Sequence, residues 1–215
     1  MKNLLHDSYR SLLKTHGDPT VLWPQWCARG KDENLRQLVV LGAILTQRTS
    51  WRNADLALRN LKREELLSLK LLADISNPSS LAPYTHPAGF HQTKPKRLIE
   101  FSKFVVNTYG SLENMRDQPI TKLRNELLEV YGIGPETADT ILLYALDQPS
   151  FVIDAYTRRL LQKNEFPEHD IPYADLKSLF EKSLPQDLEI YQNYHILIIA
   201  DQKGSEASKM EIVEV

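Results

Sequence analysis

The glycine pair in Gly132-Ile133-Gly134 constrains the fold of this chain more than any other feature. It follows an apolar helical pattern that ends near Val130, and it precedes Pro135, a residue that suits the first turn of a helix. Two glycines let a backbone turn tightly and approach another molecule closely. The first N–H groups of the second helix then favour an anion such as phosphate. A glycine turn is also common as a plain joint between helices, so the pattern alone leaves both interpretations open.

Helical periodicity dominates the rest of the sequence and predicts an all-α fold with about ten helices. The segments with apolar residues at helical spacing include 35–45, 96–109, 173–184 and 187–201. Only FVID, at residues 151–154, is typical of a strand, and it is short. Residues 74–95 are rich in Pro, Ser and His, which favours a long loop.

Composition excludes several kinds of protein. The single cysteine, Cys27, rules out an internal disulfide bond and any four-cysteine metal site. No run reaches the roughly 18 apolar residues that a membrane-spanning helix needs, and the N-terminus is a poor signal peptide. We therefore expect a protein of the reducing cytoplasm with no membrane partner. The net charge of −2 does not indicate nucleic-acid binding, but a local basic patch would be enough to contact phosphate.

A lone aspartate, Asp154, lies about twenty residues after the hairpin, inside the apolar run FVIDAY. Aspartate is a favoured N-cap, and Asp154 directly precedes the helical pattern AYTRRLLQK. A carboxylate on an apolar segment also suits a site where it stabilises positive charge that develops during a reaction. The two roles are compatible, so both stay open.

Several motifs occur together over most of the chain. They are LWP at 22–24, LGAILTQRTSW at 41–51, HPAGFHQTKPKRLIEF at 86–101, GIGPETADTILLYA at 132–145 and FVIDAY at 151–156. With these motifs the chain resembles the helix-hairpin-helix DNA glycosylases of the endonuclease III superfamily, and among them the iron–sulfur-free 3-methyladenine DNA glycosylase III group. The resemblance implies a two-lobed all-α fold with a central cleft. One lobe would be a helical barrel of residues 34–136, and the other would combine residues 1–33 with 137–215.

The resemblance also implies hydrolysis of the N-glycosidic bond of a damaged base, with Asp154 as the catalytic residue. Bifunctional members of the superfamily carry a lysine that forms a Schiff base at the position of Glu136. A carboxylate cannot form a Schiff base, so we expect a monofunctional glycosylase without lyase activity. Glu136 would either line the base pocket or act as a solvated acid that the helix dipole favours, and the sequence supports both roles equally.

An aromatic pocket for the flipped base is a further implication, and it would contain Trp23, Pro24 and Trp51. Stacking on an indole contributes about 1–3 kcal/mol per base, and a cationic base gains about 0.5–2 kcal/mol more from the aromatic face. Core packing, the role of most tryptophans, is the alternative for each. Lys203 is the nearest counterpart of a lysine that supports the pocket in the 3-methyladenine group. His195 is interpreted as a core histidine with satisfied hydrogen bonds.

Contacts with double-stranded DNA are implied at two places. Gln47, in the TQRT segment, matches a glutamine that fills the gap left by the flipped base, and a surface or capping role is its alternative. The hairpin residues expected to contact DNA are Gly132, Ile133, Gly134 and Thr137. In the family, main-chain carbonyls of the hairpin also hold a monovalent cation, Na⁺ or K⁺, and the matching residues are Leu128, Val130 and Ile133. Lys94 and Lys96 suit either a phosphate contact or a solvated helix start.

We therefore expect a monomeric base-excision-repair glycosylase for alkylated purines such as 3-methyladenine. It would need no cofactor, and it lacks the C-terminal cysteines that hold the iron–sulfur cluster of endonuclease III. One alternative is a glycosylase for mismatched thymine or uracil, or for oxidised bases, although neutral bases would need hydrogen-bonding groups around the pocket. Another is a non-catalytic relative that binds DNA structure, which would have little use for Asp154 beside a phosphate backbone.

Overall fold

The structure, a computed structural model, describes residues 2–211 and 213. These residues form α-helices joined by short turns and loops, with no strand among them, so the predicted all-α fold is confirmed. None of these helices combines the length and the apolar character that crossing a membrane would require. The helices are α1 (Lys2–His16), α2 (Pro24–Cys27), α3 (Glu33–Thr46), α4 (Trp51–Arg63), α5 (Leu69–Ala73), α6 (Ala82–Thr85), α7 (Thr93–Thr108), α8 (Leu112–Arg116), α9 (Ile120–Glu129), α10 (Pro135–Thr140), α11 (Ala155–Lys163), α12 (Tyr173–Ser183), α13 (Leu188–Lys203) and α14 (Ser205–Ser208).

Two helices, α3 and α13, lie at the centre of the fold. Ten consecutive residues are buried in each, 36–45 and 191–200, as expected of helices surrounded by others. Helix α3 packs against α4, α7 and the π-helical turn Ile141–Ala145, which continues α10. Helix α13 packs against α1, α11 and α14. Because Gln47 ends α3 and Lys203 ends α13, both side chains project from well-packed helices.

Side-chain caps determine where two helices of the site begin. The Ser50 hydroxyl accepts a hydrogen bond from the Asn53 N–H at 3.4 Å, which starts α4 at Trp51. A carboxylate oxygen of Asp154 accepts one from the Thr157 N–H at 2.7 Å, which starts α11. Such caps typically contribute about 0.5–2 kcal/mol each. The N-cap role predicted for Asp154 is therefore confirmed.

The strand predicted for FVID at residues 151–154 does not form. The Phe151 N–H donates to a carboxylate oxygen of Glu181 at 2.9 Å, and the Ile153 N–H donates to the Tyr173 hydroxyl at 3.4 Å. Side-chain oxygens of α12 thus take the place of a neighbouring strand. The strand prediction was wrong because these apolar residues are buried among helices, and tertiary packing outweighs β-propensity.

The long loop predicted over residues 74–95 is only partly correct. Helical turns interrupt it at Pro78–Leu81, at α6 and at His86–Ala88, and α7 begins at Thr93. Each of the three turns has a proline in its first two positions, where the missing N–H has no helical partner to lose. The prolines that predicted a loop therefore start helical turns.

The division into two lobes, 34–136 and 1–33 with 137–215, stays a prediction. Helix α3 of the first lobe packs against the π-helical turn 141–145 of the second, so a large contact would join them. The hairpin, which lies between α9 and α10, is where the chain would pass from one lobe to the other.

Lys94 is fully buried and does not face DNA. Its ammonium group donates to the main-chain carbonyls of Leu45 at 2.7 Å and Ala88 at 2.6 Å. Both roles predicted for Lys94, a phosphate contact and a solvated helix start, are therefore wrong, because the first turn of α7 faces the last turn of α3 and buries this side chain. Burial, and to a lesser degree the charge of Arg97, lower the pKa of Lys94 to about 8. Lys94 thus holds the end of α3 that carries Gln47.

We expect Lys94→Met to lower the free energy of unfolding by about 2–4 kcal/mol, because two main-chain carbonyls lose their donor. Between the folded pKa of about 8 and the ordinary value of 10.5, the folded state binds fewer protons than the unfolded chain. The advantage of wild type over the variant should therefore grow as pH rises through this window. Urea unfolding of both proteins at pH 7 and pH 10 measures this advantage. An equal difference in unfolding free energy at the two pH values would contradict a buried, charged Lys94.

Candidate functional site

One cavity, of about 270 Å³, brings most of the predicted site residues together. It lies between the N-terminal segment, the α3–α4 junction, α10, the start of α11, α13 and the C-terminal segment. The predicted site residues that line it are Trp23, Gln47, Trp51, Glu136, Thr137, Asp154 and Lys203. Trp26 and His195 line it as well, although the sequence did not predict a pocket role for either. Residues far apart in the chain thus converge on one small space.

Pro24 lies outside this cavity. It is the first residue of α2, and it lines a separate surface depression with Tyr9 and Cys27. Trp23, the N-cap of the same helix, packs instead against Trp26. The two residues of the predicted Trp-Pro pair therefore line different depressions, because the chain turns into a helix between them.

Three of the aromatic side chains that line the cavity are indoles. Trp26 packs edge-on against Trp51, with ring centres 5.5 Å apart, and against Trp23, with ring centres 5.4 Å apart. A Cβ at Gly42 would lie 3.2 Å from ring atoms of both Trp26 and Trp51, so glycine lets these rings pack against α3. Trp23 and Trp26 are buried, whereas Trp51 is half-buried. Trp51 is therefore the indole with the most surface open to a ligand.

The two carboxylate oxygens of Asp154 have different partners. Oδ1 accepts hydrogen bonds from the Thr157 N–H at 2.7 Å and the Thr157 hydroxyl at 3.0 Å. Oδ2 lies 3.5 Å from Nε2 of His195, a distance that indicates an electrostatic contact rather than a well-formed hydrogen bond. Burial raises the pKa of Asp154, but His195 and Thr157 outweigh it, so the pKa lies below the ordinary 3.8. Asp154 is thus an ionised carboxylate at neutral pH.

Glu136 lies in the first turn of α10 and lines the same cavity, with its side chain reaching solvent at the rim. The loss of water in this concave position raises the pKa of Glu136, the charge of Asp154 raises it further, and His195 lowers it. The site therefore contains two carboxyl groups whose pKa values move in opposite directions, a pattern found where acids have separate chemical roles. Lys203 also lines the cavity, and its ammonium lies 4.9 Å from the centre of the Tyr156 ring.

Gln47 connects the end of α3 to the hairpin. Its amide nitrogen donates to the Gly132 carbonyl at 3.0 Å and to the Thr137 hydroxyl at 2.9 Å, and its amide oxygen accepts from Arg97. A role for Gln47 as a wedge in DNA would require these bonds to break. Arg97 was not predicted to belong to the site, and only the folded structure brings it to Gln47.

The hairpin has the tight geometry that its glycines predict. Gly132 has φ of +79°, and a Cβ there would lie 2.4 Å from Nε of Arg97. The Ile133 N–H donates to the Val130 carbonyl at 3.0 Å and closes the turn. Gly134 is the N-cap of α10 and provides no side-chain cap, which leaves the first N–H groups of the helix available to an external anion.

The cation predicted at the carbonyls of Leu128, Val130 and Ile133 stays a prediction. Carbonyl oxygens are suitable ligands for a hard cation, and the Val130 carbonyl keeps a second lone pair beside its hydrogen bond to Ile133. A phosphate contact at Lys96 also stays a prediction. The Lys96 ammonium lies 4.3 Å from the ring centre of Tyr131, an exposed residue next to Gly132.

Comparison with known proteins agrees with this geometry. Residues 41–186 match the family described as HhH-GPD superfamily base excision DNA repair protein. The chain belongs to this superfamily. A provisionally named DNA repair glycosylase of Methanocaldococcus jannaschii is 43% identical over 198 residues, which cover 91% of this chain and 86% of the relative. The chain is therefore a base-excision-repair DNA glycosylase of the HhH-GPD family.

Two solved structures extend the comparison. The H. pylori 3-methyladenine DNA glycosylase MagIII, bound to 1,N6-ethenoadenine, has a TM-score of 0.72 and 28% identity, with 98% of this chain and 99% of that chain covered. A non-covalent endonuclease III–DNA complex has a TM-score of 0.68 at 15% identity, with 93% and 85% covered, which shows the fold alone. These neighbours confirm the predicted helix-hairpin-helix glycosylase fold.

Sequence reasoning missed two residues that line the cavity of this HhH-GPD glycosylase. Trp26 follows Trp23 by three residues, and this spacing along a helix such as α2 would have placed both indoles on one side. No sequence pattern indicated that His195 lines the cavity, because its partners Tyr144 and Asp154 are distant in the chain. Its predicted role as a satisfied core histidine fits only one ring nitrogen, since Nε2 has no hydrogen-bond partner among the described residues.

The two hairpin glycines should respond differently to alanine. We expect Gly132→Ala to lower the free energy of unfolding by about 1–3 kcal/mol or more, because φ is positive and the new Cβ collides with Arg97. Gly134→Ala should change it by less than about 0.5 kcal/mol, because nothing lies within 4 Å of a Cβ there. Urea unfolding of both variants measures the difference, and equal losses would contradict the described hairpin geometry.

Proposed function

We propose that this HhH-GPD glycosylase hydrolyses the N-glycosidic bond of alkylated purines, such as 3-methyladenine, in double-stranded DNA. The observation that carries the proposal is one cavity of about 270 Å³ that contains three indoles and two carboxyl groups. This volume lies just below the range of about 300–1,000 Å³ for typical small-molecule pockets. The cavity therefore suits a single flipped base better than a larger ligand.

The charge and the aromatic rings of the cavity favour a cationic purine. Alkylation at N3 or N7 places a positive charge on the purine ring, which an indole face stabilises by about 0.5–2 kcal/mol. Trp51 offers the half-buried indole for this contact, and the ionised Asp154 adds a negative charge. The likeness to MagIII, whose name specifies 3-methyladenine, supports the same assignment.

Asp154 would act on the sugar. When the N-glycosidic bond breaks, its electron pair leaves with the cationic base, which becomes neutral, and positive charge develops on the sugar. An ionised carboxylate beside the sugar stabilises this charge. Water then adds to the sugar, and Asp154 can orient it or accept its proton. The lowered pKa of Asp154 keeps the carboxylate ready for this role at neutral pH.

Lyase activity would be absent. Glu136 occupies the position at which bifunctional relatives carry their Schiff-base lysine, and a carboxylate cannot form that adduct. Lys203 is the one lysine among the described residues that line the cavity, and its ammonium packs over the Tyr156 ring. We propose that Lys203 supports the pocket and that Glu136 lines its mouth.

DNA would lie against the hairpin. The proposed contacts are Gly132, Ile133, Gly134 and Thr137, with Gln47 entering the duplex once its hydrogen bonds to the hairpin break. A Na⁺ or K⁺ ion at the hairpin carbonyls would strengthen the attraction for phosphate. The protein would act as a monomer in the cytoplasm, with the chromosome, and without a cofactor.

Methylated duplex DNA tests the proposal. We expect wild type to release 3-methyladenine, identified by chromatography, and Asp154→Asn to release it at least about 100-fold more slowly while still binding DNA. No strand break should appear before alkali, and borohydride should trap no protein–DNA adduct. An adduct that disappears in Lys203→Met would overturn the monofunctional assignment. Intact DNA binding without release of any methylated base would overturn the assignment of alkylated purines as the substrate.

The role of Trp51 is tested by a pair of substitutions. Trp51→Ala should raise KM for alkylated DNA by about 5- to 150-fold, which corresponds to the loss of about 1–3 kcal/mol of stacking. Trp51→Phe keeps an aromatic face and should have a smaller effect. Steady-state kinetics of both variants measure these effects on KM, and thermal unfolding is the control for folding. Equal effects of Ala and Phe would show that Trp51 does not stack on the base.

A further inference from the structure

His195 is a buried histidine whose two ring nitrogens face different partners. Nδ1 lies 2.8 Å from the hydroxyl oxygen of Tyr144, and Nε2 lies 3.5 Å from Oδ2 of Asp154. The ring of Trp23 meets the imidazole edge-on, with ring centres 5.7 Å apart. The only acidic oxygen within ion-pair distance of Nε2 among the described residues is thus that of Asp154. A flipped base would not reach Nε2 directly, because this atom is buried.

Asp154 has one oxygen left for this histidine. Oδ1 is occupied by both donors of Thr157, which belong to the helix cap. Among the described residues Oδ2 has no comparable donor, and His195 is the group that lies nearest to it as an ion-pair partner. A buried carboxylate without a second partner would be costly to keep ionised. The contact with His195 therefore acts together with the two hydrogen bonds from Thr157 to keep Asp154 ionised and oriented.

The hydroxyl of Tyr144 lies near two acceptors, Nδ1 of His195 at 2.8 Å and the main-chain carbonyl of Gln192 at 3.4 Å. Burial raises the pKa of Tyr144 well above 10, so the residue stays a neutral phenol. Its hydroxyl can donate to Nδ1 of His195 at the shorter of the two distances, which leaves an N–H on Nε2. In the opposite tautomer, the lone pair of Nε2 would face the carboxylate, which is repulsive. The negative charge of Asp154 thus selects the form with N–H at Nε2.

We propose that His195 is a positioning residue for Asp154, with its Nε2–H directed at Oδ2 and Tyr144 holding the ring in that tautomer. The inference rests on the proposed function, because it assigns His195 to the reaction that Asp154 would carry out. His195 stabilises the ionised carboxylate and leaves it turned towards the cavity. Its Nε2 is buried, so its loss should affect the rate of bond cleavage more than the binding of substrate.

Two substitutions of His195 separate this role from packing. The amide nitrogen of glutamine can reach the place of Nε2, whereas the shorter asparagine can replace only Nδ1. We expect His195→Asn to raise the pKa of the Asp154 carboxyl by about 1–3 units, because the donor at Oδ2 is lost. His195→Gln should raise it less. Carbon-13 NMR of labelled aspartate, with the Asp154 signal assigned from Asp154→Asn, measures this pKa without requiring activity.

Kinetics on methylated duplex DNA give the second readout. We expect His195→Asn to lower kcat at neutral pH by about tenfold or more, with KM within about twofold of wild type, and His195→Gln to recover part of the loss. The acidic limb of the pH–rate profile should shift upward in His195→Asn. The other ionisable groups around the carboxylate are unchanged in both variants, so their effects cancel; they are Glu136, Tyr144, Tyr156 and Lys203.

Three results would overturn the inference. The first is an Asp154 pKa that stays at the wild-type value in His195→Asn, with folding verified by circular dichroism. The second is a loss confined to KM, which would indicate direct contact with the base. The third is an equal effect of His195→Asn and His195→Gln on the pKa of Asp154 and on kcat. If His195→Asn does not fold, Tyr144→Phe replaces it and should shift the pKa in the same direction. The expected NMR shifts without base release by any variant would reject the proposed function and leave the His195–Asp154 contact in place.

Discussion

The constraint on which the rest of the site depends is an ionised Asp154 whose side chain is only 12% exposed. A carboxylate removed from water is stable only when donors replace the lost hydration. Thr157 supplies two of them from the first turn of α11, and His195 faces the remaining oxygen from α13. The start of α11 and the middle of α13 must therefore keep a fixed relative position. The π-helical turn that carries Tyr144 must also stay in place, because the Tyr144 hydroxyl contacts Nδ1 of His195.

A second buried carboxylate, Asp139, links the hairpin to the segment that carries Asp154. The carboxylate of Asp139 accepts a hydrogen bond from each of three side chains. The donors are Arg124 of α9 at 2.9 Å, Ser150 at 2.6 Å and Tyr173 of α12 at 2.8 Å. Because Asp139 lies in α10, directly after the hairpin, this network fixes α10 against the residues that precede Asp154. The hairpin and the segment that carries Asp154 are thus held as one unit, so DNA bound as proposed would present the sugar to Asp154 at a constant distance.

The sequence predicts those features that depend on local chemistry. A positive φ at Gly132 and a capping carboxylate at Asp154 follow from the residues themselves, and the structure contains both. Features that depend on contacts distant in the chain were missed or predicted incorrectly. Pro24 turns away from the cavity, and Lys94 is buried under the end of α3, because the packing of other helices decides where each side chain points. The residue pattern of FVID is compatible with a strand, and only the carboxylate of Glu181 and the hydroxyl of Tyr173 make a strand partner unnecessary.

The most direct test of the account is a crystal structure of Asp154→Asn bound to duplex DNA that contains 3-deaza-3-methyladenine, a base that resists hydrolysis. We expect a base rotated out of the duplex into the cavity of about 270 Å³, stacked on Trp51, with its sugar beside residue 154. The hairpin at Gly132–Gly134 should contact a neighbouring phosphate. A modified base that remains stacked in the duplex, or that is bound away from Trp51 and residue 154, would contradict the account.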